Sequence, residues 1–356
     1  MIRVKGDKRS NECEGDKLHL RVKPTRWPAN QGVMTQRTNP SGGDACRSGI
    51  VLLIAFAYFC HGSLIEYSNH DFLWAMKFGM FAREIVGRPS SCITNNTVYH
   101  TMSNIVNWPM VELQVISVAR HVCFIERFIV ITLDDPAHDA CKQSRSVMLC
   151  YRYHRTFGLS EYLSGDYVEV VFVKIKSLYA LLQMGLTAIY FDADVTILQL
   201  PLLPQIEAFD IVAQMERYNL GCEIDAKKQN CKGAQSLCSP PSNVLGSNIN
   251  SGQLGLSPSP KTLDLLNSTI ACGLQMTVPR GNQFCLKMVL RAMQKKKINL
   301  RIFYFPSEFG SHRWASMHLE KGTSFVTYHA HLAGRSFEQK YTVLKKLLKT
   351  NTLTKI

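Results

Sequence analysis

Two runs constrain this chain more than anything else in it. Residues 128–133 and 187–191 are continuous apolar stretches rich in β-branched and aromatic side chains. Neither alternates polar with apolar, so each reads as a strand buried on both faces. Between them lie segments with apolar residues at helical spacing. Residues 111–122 show that spacing after Pro109, which suits a helix start. Residues 176–184 put Leu178, Leu181 and Leu182 on one face, with Gly185 where a helix ends. Residues 98–102 and 167–173 read as further strands, and Asp134-Asp135-Pro136 as a strand-ending turn. Strands buried on both faces and alternating with helices predict an α/β fold with a mostly parallel sheet flanked by helices.

Composition narrows the class. Of 356 residues, 46% are apolar and only 19% charged, which excludes a disordered chain and a long coiled coil. The net charge of +14 comes from 41 Lys+Arg against 27 Asp+Glu. The basic residues form no stripe interleaved with aromatics, so a nucleic-acid partner is not expected. An anionic small substrate or an anionic membrane surface accounts for the sign equally well.

The N-terminal region is different in kind. Residues 1–48 are polar, aperiodic and basic, and read as a disordered tail. Then residues 48–65 run for 18 positions without a charge, between Arg47 and Glu66. A cleaved signal peptide would not carry so long a basic region. A buried core helix is the alternative. The preferred reading is a signal-anchor transmembrane helix over 49–66, with the basic tail cytoplasmic and the remainder luminal. This predicts a single-pass type II protein of the Golgi membrane, with residues 67–97 as a stem that contains an amphipathic helix over 71–86. Twelve cysteines are present, nine of them after residue 66, and none forms a Cys-x-x-Cys pair, so a zinc ribbon is not expected. Cys222, Cys231 and Cys238 share one polar stretch, as in a loop stapled by a disulfide in an oxidising compartment. Sequons at Asn95 and Asn267 fit a luminal domain.

The chemistry is concentrated after the strand at 187–191. Asp192-Ala193-Asp194 places two carboxylates at the end of a buried strand, where ligands gather in α/β sheets. Spaced i, i+2, they can meet one cation, and hard oxygen ligands suit Mn²⁺ or Mg²⁺. Asp-x-Asp-x-Thr also resembles the first motif of haloacid-dehalogenase-like phosphatases, with Asp192 as nucleophile and Asp194 as general acid/base. That family needs a later acidic pair, and neither Asp-Asp nor Gly-Asp-x-x-x-Asp occurs after Asp194.

The run from Lys174 through Leu181-Leu182 and Gly185 to Asp192-x-Asp194 resembles the signature of nucleotide-diphospho-sugar transferases. It is most similar to glycosyltransferase family 77, with family 8 a close cousin. His100-Thr101-Met102-Ser103-Asn104 resembles their nucleotide-contacting first strand and loop, and residues 128–134 their second strand. Asn250-Ser251-Gly252 resembles the segment beside the donor sugar. Asn282-Gln283 stands where the family has Asp-Gln. His329-Ala330-His331, with Lys340 following, resembles the C-terminal His-Ala-Asn strand. The resemblance covers about residues 98–345, leaving 346–356 as a tail.

It implies a GT-A fold and metal-dependent, configuration-retaining sugar transfer. The donor would be a nucleotide-diphosphate sugar, UDP-linked by first expectation, and the acceptor a hydroxyl of a glycan or glycoprotein. Asp192 and Asp194 would bind the metal, and His329 or His331 would complete its shell. Thr101, Asn104 and Lys176 would approach the nucleotide. Asn250, Gly252, Asn282 and Gln283 would approach the sugar and acceptor. The two departures, Asn282 for an acid and His331 for Asn, leave open a catalytically inactive binding protein on the same scaffold.

Overall fold

The computed structural model describes residues 69–88, 96–145, 149–157, 165–199, 206–215, 249–276, 281–304, 309–311, 326–330 and 336–353. The proposed anchor at 49–66 lies outside them, as do the tail, His331, Cys222, Cys231, Cys238 and Asn95. Among the described helices, none is long and apolar enough to cross a membrane.

Helix α1 (Asn69–Gly87) opens the described chain and leads to β1 (Thr97–Ser103). Helix α2 (Trp108–Ala119), a short α3 (Val122–Ile125) and β2 (Phe128–Thr132) follow. Next come α4 (Asp135–Gln143), β3 (Leu149–Arg152), α5 (Gly165–Gln183) and β4 (Thr187–Phe191). The second half contains β5 (Val195–Ile197), β6 (Ile211–Met215), β7 (Ile249–Leu256), α6 (Pro260–Gln275) and α7 (Asn282–Lys295). It ends with β8 (Ile302–Tyr304), β9 (Phe309–Ser311), β10 (Thr327–His329) and α8 (Phe337–Leu353).

Seven strands form one sheet in the order β3-β2-β1-β4-β7-β6-β8. All its pairings are parallel except the two that β7 makes with β4 and β6. The expected α/β architecture is therefore present, with one reversed strand. A second sheet, β5-β10-β9, hangs from the end of β4. Strands β2 and β4 are buried at every position, as their unbroken apolar runs require. Gly185 takes φ +73°. Its N–H donates to Leu182 and that of Leu186 to Leu181, closing α5 in a Schellman motif just before β4 starts.

Three expectations are corrected. Residues 167–173 are not a strand but the first half of α5. Phe172, Val173 and Ile175 are buried there while Val168, Val170 and Val171 are partly covered, so this helix is apolar on most of its circumference. Such a helix has no polar face to reveal its period, and tertiary burial overrides the strand preference of valine. Asp134 does not end a turn but caps α4, its Oδ1 accepting from the Ala137 N–H at 2.7 Å. The chain beyond 345 is not a tail, because α8 continues to Leu353 with Leu344, Leu347 and Leu348 buried near Met110 of α2.

Helix α1 is the helix expected over 71–86, but its Trp74, Phe78, Ala82 and Ile85 belong to the main core. This part of the expected stem is thus built into the body. Two disulfides join neighbouring elements, Cys141–Cys150 between α4 and β3 and Cys272–Cys285 between α6 and α7.

Candidate functional site

The parallel strands deliver their carboxyl ends to one edge of the sheet, and β7, running the other way, delivers its beginning there. Asp192 follows β4 directly, and Asn250-Ser251-Gly252 lies beside it because Gln253 pairs with Phe191. The Asp192 N–H donates to the Gly252 carbonyl at 2.7 Å. Strand β5 then turns back and pairs with β10, setting Val195 opposite His329. The Ala330 N–H closes the junction on the Asp194 carbonyl at 2.9 Å. The turn between the two carboxylates is held from below by Gln114 of α2. Its amide donates to the carbonyls of Asp192 and Val195 at 3.1 and 2.7 Å.

These elements enclose a cleft of about 460 Å³, within the size range of small-molecule sites. Asp192, Asp194 and His329 meet in it, each offering one ligand atom, all within 4.8 Å of one another. His329 Nε2 lies 3.2 Å from Asp194 Oδ1 and 4.0 Å from Asp192 Oδ2. Its Nδ1 lies 2.6 Å from Gln214 Oε1. Gly252 is part of the cradle. A Cβ there would stand 2.2 Å from His329 Cε1 and 2.7 Å from Asp192 Oδ2, so any side chain would fill the space the three ligands share. Two carboxylates and an imidazole at a glycine-lined hollow fit a hard divalent ion such as Mn²⁺ or Mg²⁺.

Two lysines balance the carboxylates. Lys174 of α5 donates to Asp192 Oδ1 at 2.8 Å and to the Ser251 carbonyl at 3.1 Å, with its ammonium 4.6 Å above the Tyr190 ring. Lys340 of α8 donates to Asp194 Oδ2 at 2.7 Å. Burial alone would raise the Asp194 carboxyl. His329 and Lys340 overturn that and hold it far below the usual carboxylate range.

Most expected site residues converge on the cleft. Asn104 lines it, with Oδ1 accepting from the Asn107 N–H at 3.0 Å. Asn250 lines it and accepts from the Gly252 N–H at 2.8 Å. Asn282 and Gln283 open α7 at its rim. Asn282 donates to the Val171 carbonyl at 2.8 Å, and Gln283 Oε1 accepts from the Ser251 N–H at 3.0 Å.

Two residues do not reach the cleft. Thr101 is fully buried inside β1 and is not among the lining residues. Lys176 turns away from it, donating to Asp71 Oδ2 at 2.7 Å beside the Tyr153 hydroxyl. Residues i and i+2 on a helix point about 200° apart, so only one of Lys174 and Lys176 can face the cleft, and it is Lys174. That choice was not visible from the Lys-Ile-Lys spacing alone. Gln114 and Gln214 carry no local motif and were not singled out; both act from neighbouring elements.

A search of curated proteins finds no match. Among solved structures, the bifunctional glycosyltransferase WbbM is similar over 73% of this chain and 51% of its own, at 9% identity and TM-score 0.42. GlyE of Streptococcus pneumoniae TIGR4 is similar over 73% and 64%, at 11% identity and TM-score 0.41. Mouse xyloside xylosyltransferase 1 is similar over 66% and 98%, at 13% identity and TM-score 0.40. This chain thus spans about half of WbbM and under two thirds of GlyE. The family model for nucleotide-diphospho-sugar transferases matches residues 123–337, more than half of the chain and the stretch that contains Lys174, Asp192, Asp194, Gly252 and His329. The chain belongs to the nucleotide-diphospho-sugar transferase family.

Proposed function

We propose that this protein transfers a sugar from a UDP-linked donor to a hydroxyl of a glycan or glycoprotein, with Mn²⁺ or Mg²⁺ and with retention of anomeric configuration. The observation that carries the reading is the meeting of Asp192, Asp194 and His329 at the cleft edge of the sheet. A divalent ion held by these three would supply Lewis-acid stabilisation of the departing nucleoside diphosphate.

The chain's own residues have separable tasks. Asp192 and Asp194 carry two negative charges, and Lys174 and Lys340 match them. With a cation held by the carboxylates, the Lys174 and Lys340 ammonium groups would be left to pair with the negative charge of a diphosphate. Asn104 and Asn107 present amides to the nucleotide end of the cleft. Asn250, Ser251 and Gln283 present hydrogen-bonding groups to the sugar end. Asn282 bears no proton-accepting carboxylate, so the acceptor hydroxyl loses its proton to another group, and the donor phosphate is the base at hand. Retention follows from the resemblance to families 77 and 8. The apolar segment at 49–66 would hold the chain in the Golgi membrane with this domain luminal. Among the described residues no third carboxylate joins Asp192 and Asp194, which disfavours phosphatase chemistry.

The test is hydrolysis of a panel of UDP- and GDP-sugars by the full-length chain, with Mn²⁺ and with chelator. Slow metal-dependent release of nucleotide from one donor, lost in Asp194→Ala, is expected. Absence of any Mn²⁺-dependent UDP binding would refute the transferase reading and leave a binding protein.

A further inference from the structure

Strands β6 and β7 do not pair evenly. The register jumps from Ala213 opposite Leu254 to Gln214 opposite Asn250, so Ser251, Gly252 and Gln253 have no partner on β6. Such irregularities re-aim side chains, and they concentrate beside sites. Here Gln214 is the residue at the break. Its side chain is completely buried, and its Oε1 lies 2.6 Å from His329 Nδ1. The amide nitrogen of the same side chain has no hydrogen-bond partner among the described residues.

A carbonyl oxygen can only accept, so the ring nitrogen facing it carries the proton. We propose that Gln214 is a positioning residue that fixes His329 as the Nδ1–H form. With Nδ1 committed to Gln214, Nε2 is the nitrogen left to face the space between Asp192 and Asp194, donating to Asp194 in the free site and offering its lone pair to a cation held there. The inference rests on the reading of that space as a cation seat. A histidine that binds a metal through one nitrogen usually anchors the other on an acceptor, which sets both ring orientation and tautomer. Gln214 is a neutral acceptor, so it orients the ring without adding a third negative charge to the cluster. It lies in none of the segments that resemble the family signature.

The experiment compares the full-length chain with Gln214→Leu and Gln214→Glu. Nitrogen NMR of histidine-labelled protein reads the ring, and titration with Mn²⁺ alone, followed by the signal of the free ion, reads affinity. The expected spectrum has a pyrrole-type, protonated Nδ1 on His329. Gln214→Leu is expected to weaken Mn²⁺ binding 10- to 100-fold. Gln214→Glu, which can only accept, is expected to keep the parent affinity or exceed it. An unprotonated Nδ1, or a Glu variant as weak as the Leu variant, overturns the proposal, because the amide would then be donating. So does a folded Leu variant with parent affinity. If the parent binds no Mn²⁺ the cation reading fails, and the nitrogen spectrum still decides the role of Gln214.

Discussion

Replacing Gly252 with alanine tests the site with a single methyl group. The added Cβ would lie 2.2 Å from His329 Cε1, 2.8 Å from His329 Nε2 and 2.7 Å from Asp192 Oδ2. Carbon atoms rest in contact at about 3.5 Å, so the ring has to withdraw by about 1.3 Å. It has little room to do so, being 2% exposed and backed by Gln214 at 2.6 Å. Metal sites tolerate ligand displacements of about 0.2 Å, and a misplacement of about 1 Å in a reacting group costs on the order of 100-fold in rate. Gly252→Ala should therefore weaken Mn²⁺ binding and turnover each by about 100-fold, with a stability loss of about 1–3 kcal/mol from overpacking. Gly255→Ala on the same strand is the control. Its Cβ would meet chiefly the tip of Ile206 at 2.7 Å, a flexible side chain remote from the ligands. That variant should lose comparable stability and keep its Mn²⁺ affinity. The assays are urea unfolding and titration of Mn²⁺. A folded Gly252→Ala protein that binds Mn²⁺ within a few-fold of the parent would refute the assignment of this space to a cation.

Two further outcomes concern the framework. Asp71 of α1 accepts from Lys176 at 2.7 Å and from the Tyr153 hydroxyl at 2.6 Å, with both charged side chains largely buried. Asp71→Asn leaves that ammonium uncompensated and should cost about 3 kcal/mol in urea unfolding. Adding Lys176→Met should recover part of the loss, and Mn²⁺ affinity should not change in either variant. His100 is fully buried, and burial first, with the nearby Lys174 charge, pushes its pKa from 6.5 down to about 3. The unfolded chain takes up that proton below about pH 6.5 and the folded protein does not. Stability should therefore fall as pH drops from about 6.5 toward 3, by at most ~1.4 kcal/mol per pH unit. In His100→Gln this slope should flatten, as read from unfolding midpoints across that range; an unchanged slope would exclude His100 as its source.

Local sequence was informative where burial and chemistry coincide in a few adjacent residues. The strand at 187–191, the glycine before it and the two aspartates after it form one continuous signal, and all stand where that signal puts them. His329 was legible through its strand, although its proximity to Asp194 depends on β5 folding back onto β10. The first half of α5 reads as a strand because valines packed around most of a helix leave neither period visible. Lys176 reads as a nucleotide contact because two lysines two apart look alike until the helix phase is known. Gln214 stood in no pattern, since its role arises from a break in register between strands separated by a long stretch of chain. What sequence order cannot encode locally is which distant side chain closes the second face of a ligand.

The lysine on α8 that holds Asp194 comes 146 residues later in the chain. Ribosomes add about 5–20 residues per second, so roughly 7–30 s separate the synthesis of the two. His329 arrives only slightly earlier. During that interval β1, β2, β3, β4 and β7 can already pair, while the Asp192–Asp194 turn still waits for β10 and α8. Most strands of the sheet are thus synthesised well before the last side chains of the cleft. A chain interrupted before residue 327 would possess most of the scaffold but lack both His329 and Lys340, the two side chains that contact Asp194.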